Sequence, residues 1–418
     1  MSASDETINT KQGDADNRSH AGVNYGGGAL TWAMSLLPLG LLAALLAIFA
    51  WTDPLAIFKS ELPPIENVSV QRVVITPDGF KLSMLNSGPE PVTISQVIVD
   101  DAYWNFTIQP SPVIPRLGEA TVELMYKWVE GEPSAISLIT STGTTFGVDV
   151  PVATETPQPG LSQFLAYGLL GVYVGVIPVG LGLLWFPALR RLGKRGLNVI
   201  LALTIGLLVF LLVDMLGEVF ETSALIPEVF QGVPLALFAA LLTWLAISAV
   251  SARGTSREAS GDPAKRRLFV STLIAGSIGL HNLGEGLAIG AAFALGEAAL
   301  GSFLVIGFTL HNVTEGVGIA APVTRDRPSL WQFVGLAMLA GAPAIVGAWI
   351  GGFAYSPLLA VIFLGVGVGA IFQVIVEVGR LLLKDAEREG VSAINWANVG
   401  GLAAGIALMY FTAYFVKF

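Results

Sequence analysis

The sequence predicts a mostly α-helical membrane protein: a bundle of membrane helices, one anchor helix ahead of it, and a small β-sandwich between the two. Three observations carry this. Of 418 residues, 53% are hydrophobic and 13% charged, with a mean hydropathy of +0.70. That is about half the charge density that covers a soluble domain. Nine apolar runs are long enough to cross a bilayer, which takes roughly 20 residues. Between the first and second run, residues 53–160 change character and read as short strands. The charge balance is acidic, 22 Lys and Arg against 31 Asp and Glu, which argues against a nucleic-acid partner. The chain has no cysteine, so disulfides, thiolate metal ligands and thiol chemistry are excluded.

Residues 1–29 are polar and rich in Gly, Asn and Asp, the composition of a disordered tail. His20 lies in this tail and carries no expected role. The first apolar run, 30–50, starts too late and runs too long for a cleaved secretory signal. Residues 30–52 are therefore expected to stay as a transmembrane anchor.

Residues 62–153 are expected to form the β-sandwich. Val68–Val74, Val92–Val99 and Ala135–Ile139 mix β-branched residues with near period-two alternation. Pro77-Asp78-Gly79, Asn86-Ser87-Gly88-Pro89 and Ser141-Thr142-Gly143 punctuate them as turns. In strand rhythm the stretch resembles immunoglobulin-like accessory domains. Residues 154–160, Thr-Glu-Thr-Pro-Gln-Pro-Gly, read as its exit linker.

The remaining spans are 161–187, 197–216, 233–250, 268–293, 299–322, 331–353, 357–379 and 397–416. Positive charge fixes their orientation. With the N-terminus in the cytoplasm, the inner loops hold 14 basic residues, among them Arg190, Lys194, Arg266, Arg325 and Lys384. The short outer segments after the second span hold one, Lys417. The β-sandwich and the C-terminus are then outside the cell membrane. Segment 53–160 carries 13 acidic and 5 basic residues. That charge would concentrate cations near the membrane, or is simply a solvated surface.

Ionisable residues inside spans are costly and mark function. Two of the three histidines lie mid-span, in His281-Asn282-Leu283-Gly284-Glu285-Gly286 and His311-Asn312-Val313-Thr314-Glu315-Gly316. The pattern His-Asn-x-x-Glu-Gly therefore occurs twice, 30 residues apart. His and Glu at i and i+4 share one helical face. Spans five and six are adjacent and antiparallel, so the two faces can converge two imidazoles and two carboxylates on one buried point. Such a nitrogen and oxygen set suits Zn²⁺, and serves Fe²⁺ or Mn²⁺. Gly286 and Gly316, with Gly290 and Ala320 four residues on, let the helix backbones approach.

These motifs, the eight spans from residue 161 and the long inner loop between spans four and five resemble the ZIP (Zrt/Irt-like) family of divalent metal transporters. The likeness is to the bacterial branch whose fourth and fifth helices carry His-Asn-x-Pro-Glu-Gly. The resemblance implies an eight-helix transporter domain over 161–418, here preceded by an anchor helix and an Ig-like β-sandwich. It implies a primary metal site of His281, Glu285, His311 and Glu315, with Asn282 and Asn312 facing a second site bridged by the two glutamates. It implies metal movement towards the cytoplasm, with the divalent metal as substrate and no organic cofactor. Three departures are visible. Gly284 and Thr314 stand where the family has proline, which removes the expected kink. Ala344 stands where many relatives place a carboxylate for the second site, leaving that site weak or missing. The loop at 252–267 lacks histidines.

Secondary candidates are Asp214 and Glu218 for an entrance, and Glu377 as an exit ligand or a partner of Arg380. Two other functions compete. A metallohydrolase needs an open metal position and a general acid or base nearby, and no further histidine lies in the spans. A metal-responsive receptor would make the outer domain the working part. The expected partners are the bilayer and divalent ions; a homodimer and the ligand of the β-sandwich stay open.

Overall fold

The computed structural model describes residues 29–52, 65–258, 262–388 and 390–416. Of the expected tail over 1–29, residues 1–28, His20 among them, lie outside these, as does Lys417, and residue 29 begins a helix. The first unit contains helix α1, Ala29–Thr52. Its described side chains are exposed all round, with Leu36, Leu39, Leu42 and Leu46 each more than half accessible. A helix that is apolar on every face is at rest only in lipid or a protein core.

The second unit begins with antiparallel strands. These are β1 (Val68–Thr76), β2 (Gly79–Asn86), β3 (Val92–Val99), β4 (Ala102–Trp104), β5 (Phe106–Gln109), β6 (Val113–Ile114), β7 (Glu119–Met125), β8 (Ser134–Thr140) and β9 (Thr145–Val150). One sheet runs β1-β2-β7-β5 and the other β4-β3-β8-β9, with β6 paired to β3. Alternate residues turn inward, as the period of two requires. Phe80, Leu82, Met84, Val97, Val122, Ile136 and Leu138 meet in one core drawn from both sheets. Residues 154–160 are more than a linker. Thr156 donates its N–H to the Ile75 carbonyl and accepts the Ile75 N–H on its hydroxyl, both at 2.9 Å. The segment is thus stitched along β1. On the same domain, Arg72 reaches the Phe353 carbonyl at 3.4 Å, across to the helices.

Those helices are α2 (Leu161–Gly171), α3 (Ile177–Leu183), α4 (Phe186–Leu189), α5 (Lys194–Ser223), α6 (Gly232–Glu258), α7 (Pro263–Ala294), α8 (Ala298–Ala320), α9 (Leu330–Gly341), α10 (Pro343–Ala354), α11 (Pro357–Arg388) and α12 (Trp396–Val416). A π-helical turn, Val172–Val176, joins α2 to α3. Among the described residues, seven helical segments are long and apolar enough to cross a membrane. Helix α7 is not one of them, although it is 32 residues long. Ser271, Thr272, Ser277, His281, Asn282 and Glu285 lower its hydropathy, and all but Thr272 are buried. These five buried side chains face protein. α10 packs along α7, α3 along α8, α12 along α5, and α11 against α5, α6 and α7.

Candidate metal centre

The site grows from two helix crossings. Gly286, which ends the first motif, lies where α7 meets α10; a Cβ there would run into the Ala344 carbonyl. Gly316, which ends the second, lies where α8 meets α3; a Cβ there would strike the Val179 carbonyl and Gly182. Each motif is thereby held at backbone contact with a partner helix, so its other side chains project between helices. A short turn at 295–297 reverses the chain from α7 into α8. The two motif faces then oppose each other.

His281, His311 and Glu315 are all buried, and one ligand atom from each lies within 4.8 Å of the others. Among the described residues this is the group of three or more His, Asp or Glu with metal-like spacing. Glu285 is not in that converging set. Its Oε1 is hydrogen-bonded to His311 Nε2 and lies 3.0 Å from His281 Nε2. Its Oε2 accepts from Asn312 Nδ2 at 2.9 Å. The structure therefore places Glu285 against both imidazoles, and leaves both Glu315 oxygens without a hydrogen bond.

The asparagines are oriented by breaks in neighbouring helices. Pro178 has no N–H, so the Val174 carbonyl four residues earlier lacks its helical donor. Asn312 Nδ2 donates to that carbonyl at 3.1 Å. On the other side α9 ends at Gly341 and Pro343 starts α10. In that last turn, where helix-end carbonyls seek outside partners, Asn282 Nδ2 donates to the Ala340 carbonyl at 3.0 Å. With both amides anchored outward, both Oδ1 atoms are buried without a hydrogen bond.

In keeping with the missing prolines, α7 and α8 run unbroken through the motifs. Thr314 donates its hydroxyl to the His311 carbonyl at 2.6 Å instead. The irregular backbone sits in the partner spans, at the π turn and at the α9–α10 break. Neither Val174 nor Ala340 stood out in the sequence, although Pro178 and Pro343 signal freed carbonyls near them.

Several buried atoms make no hydrogen bond: both oxygens of Glu315, His281 Nδ1 and the two Oδ1 atoms, while His281 Nε2 has only its 3.0 Å contact with Glu285. A buried carboxylate without donors is strongly unfavourable, and native structures seldom tolerate it without an ion or water. The Glu315 and amide oxygens and one ring nitrogen of neutral His281 can each donate a lone pair, and the donor set of imidazole, carboxylate and amide oxygen fits a borderline divalent metal. Ala344 is fully buried at the α7–α10 crossing and supplies no ligand side chain.

The secondary candidates separate. Glu377 Oε1 accepts from Ser251, Gln373 and Arg380 at 2.6, 3.0 and 3.2 Å. It is occupied as an ion-pair partner and ties α6 to α11. Asp214 and Glu218 are half-buried on α5. Compared with known proteins, the chain matches no family model and no curated sequence.

Proposed function

We propose that the chain is a ZIP-type transporter that carries a divalent transition metal, Zn²⁺ foremost and Fe²⁺ or Mn²⁺ as alternatives, across the cell membrane towards the cytoplasm. One observation supports this above the rest. A duplicated six-residue motif sets His281, His311 and Glu315 in ligand range of one another on two adjacent helices, among helices of membrane-spanning length. A structural ion has no need of a site duplicated across two antiparallel helices, whereas transporters commonly bind cargo between repeats at mid-membrane. The two asparagine anchors share that repeat relation, each gripping a carbonyl at a proline-broken span.

On this reading, residues 161–418 form an eight-helix transporter domain, residues 30–52 an anchor, and residues 62–153 an extracytoplasmic Ig-like sandwich. The N-terminus is cytoplasmic and the C-terminus outside. His281, His311 and Glu315 hold the ion; Glu285, already bound to His311, supplies the second negative charge. Asn282 and Asn312 present Oδ1 at the periphery. Two carboxylates neutralise a divalent ion in a low-dielectric interior, where each uncompensated charge is expensive. Imidazole nitrogen disfavours Mg²⁺ and Ca²⁺, which prefer oxygen shells. Zinc entry into proteoliposomes containing the purified chain tests the proposal. Entry above that of protein-free liposomes supports it; entry no faster contradicts it.

A further inference from the structure

A cavity of about 250 Å³ opens among the ends of α5, α7, α8 and α11. Its lining includes Val270 on α7, 11 residues before His281, or about 16 Å along the helix at 1.5 Å per residue. It is separate from the metal centre. Its lining is unusual for a protein that is acidic overall. Six cationic side chains face it against two carboxylates, Glu377 and Asp385.

The carboxylates are already engaged. Glu377 is held by Arg380 at 3.2 Å, and Asp385 lies 3.3 Å from Arg325 and 3.9 Å from Arg388. Arg267 is paired outside the lining set, bidentate to Asp326 at 2.7 and 2.5 Å. Among the described residues, Arg266 and Lys384 have no ion-pair partner. Two unpaired cations thus share a concave site whose other charges are already matched, and the excess is positive. An Arg fork and a Lys point charge together suit phosphate oxygens. The volume lies below the about 300–1,000 Å³ of pockets for drug-sized ligands, which fits a small head group. Basic pockets between membrane helices on the cytoplasmic side are a recurrent way to hold lipid phosphates.

We infer that this cavity binds a phosphate group through Arg266 and Lys384, with Arg380 at its edge. The phosphate comes from an anionic lipid head group or from soluble phosphate. The inference does not depend on what the His/Glu centre carries. If the centre does pass metal inward, a bound phosphate also lowers the barrier that the cations raise against a departing divalent ion.

The test uses the full chain in nanodiscs and reads binding, not transport. In discs of phosphatidylcholine alone, inorganic phosphate is titrated against chloride at equal ionic strength while thermal unfolding is followed. In a second arm, phosphatidylglycerol replaces part of the phosphatidylcholine. A rise in unfolding temperature in the first arm identifies soluble phosphate, and one in the second identifies the lipid head group. Either supports the inference if Arg266→Gln/Lys384→Gln weakens the response roughly thirtyfold, five- to sixfold for each basic side chain. No response in both arms, or an equal response in the variant, overturns it. A measurement on the unaltered protein guards against a variant that fails to fold. The ligand found should protect Lys384 from acylation several-fold and leave Lys265, outside the cavity, unprotected. Equal labelling of Lys384 with and without that ligand also overturns the inference.

Discussion

Replacing Glu315 by Gln should make the metal-free protein more stable and the zinc-loaded protein less so. Both Glu315 oxygens are buried without a hydrogen bond, and a ligand atom of the residue lies within 4.8 Å of those of His281 and His311. A buried carboxylate in this state carries an effective penalty of several kcal/mol. A buried amide left without partners costs about 1–3 kcal/mol. The exchange therefore favours metal-free Glu315→Gln by about 1–3 kcal/mol, the difference between those two penalties. Zinc reverses the order. At one hundred times its dissociation constant, a ligand stabilises the native state by about 2.7 kcal/mol, and the variant has lost the carboxylate that draws the ion in. Thermal unfolding in detergent, with chelator and then with zinc, reads both halves. A metal-free variant less stable than the parent, together with an undiminished zinc shift, would refute the view of Glu315 as a ligand waiting for a cation.

Asn312→Ala should reduce zinc uptake modestly but destabilise the protein by about 1–3 kcal/mol, because the Val174 carbonyl and Glu285 Oε2 both lose their donor; chemical unfolding measures the second effect, and a neutral result would mean that the anchor is idle. Gly316→Ala should cost about 1–3 kcal/mol through overpacking against Val179 and Gly182, and should lower zinc affinity as α8 moves from α3; unchanged titration calorimetry would count against the crossing as the site's support. In the β region, burial raises the Glu66 carboxyl, but the hydroxyls of Thr140, Thr142 and Thr144 outweigh it and hold the group below its ordinary value of 4.5. A depressed folded value means stability present above about 4.5 and lost as pH falls through the folded value. Unfolding measured either side of that pH should show an acid-side loss that Glu66→Gln lacks; equal losses in both proteins would remove Glu66 as its source.

Much of this was legible because it depends on local period. The alternation at Val68–Val74, Val92–Val99 and Ala135–Ile139 became β1, β3 and β8, and the three turn sequences fell at strand ends. His and Glu at i and i+4 placed the motif residues on one face before any neighbour was known. What stayed hidden was tertiary. Glu285 and Glu315 are equivalent in the motif, yet one is hydrogen-bonded to His311 and Asn312 while the other makes no hydrogen bond. Sequence symmetry cannot reveal that difference. The acceptors of the two asparagines lie on helices far away in the chain, and the missing motif prolines gave no hint of the irregular backbone in the partner spans, at the π turn and the α9–α10 break. Residues 154–160 read as a linker by composition. Only the pairing of Thr156 with Ile75 shows them to be part of the β domain's edge.

The most direct test of the central claim is the initial rate of zinc uptake into liposomes holding either the parent protein or His281→Ala, with Mg²⁺ run in parallel at the same concentration. The account predicts saturable zinc entry by the parent, little Mg²⁺ entry, and zinc entry by His281→Ala close to that of empty liposomes. Zinc entry by His281→Ala at the parental rate, or Mg²⁺ entering as fast as zinc, would contradict it.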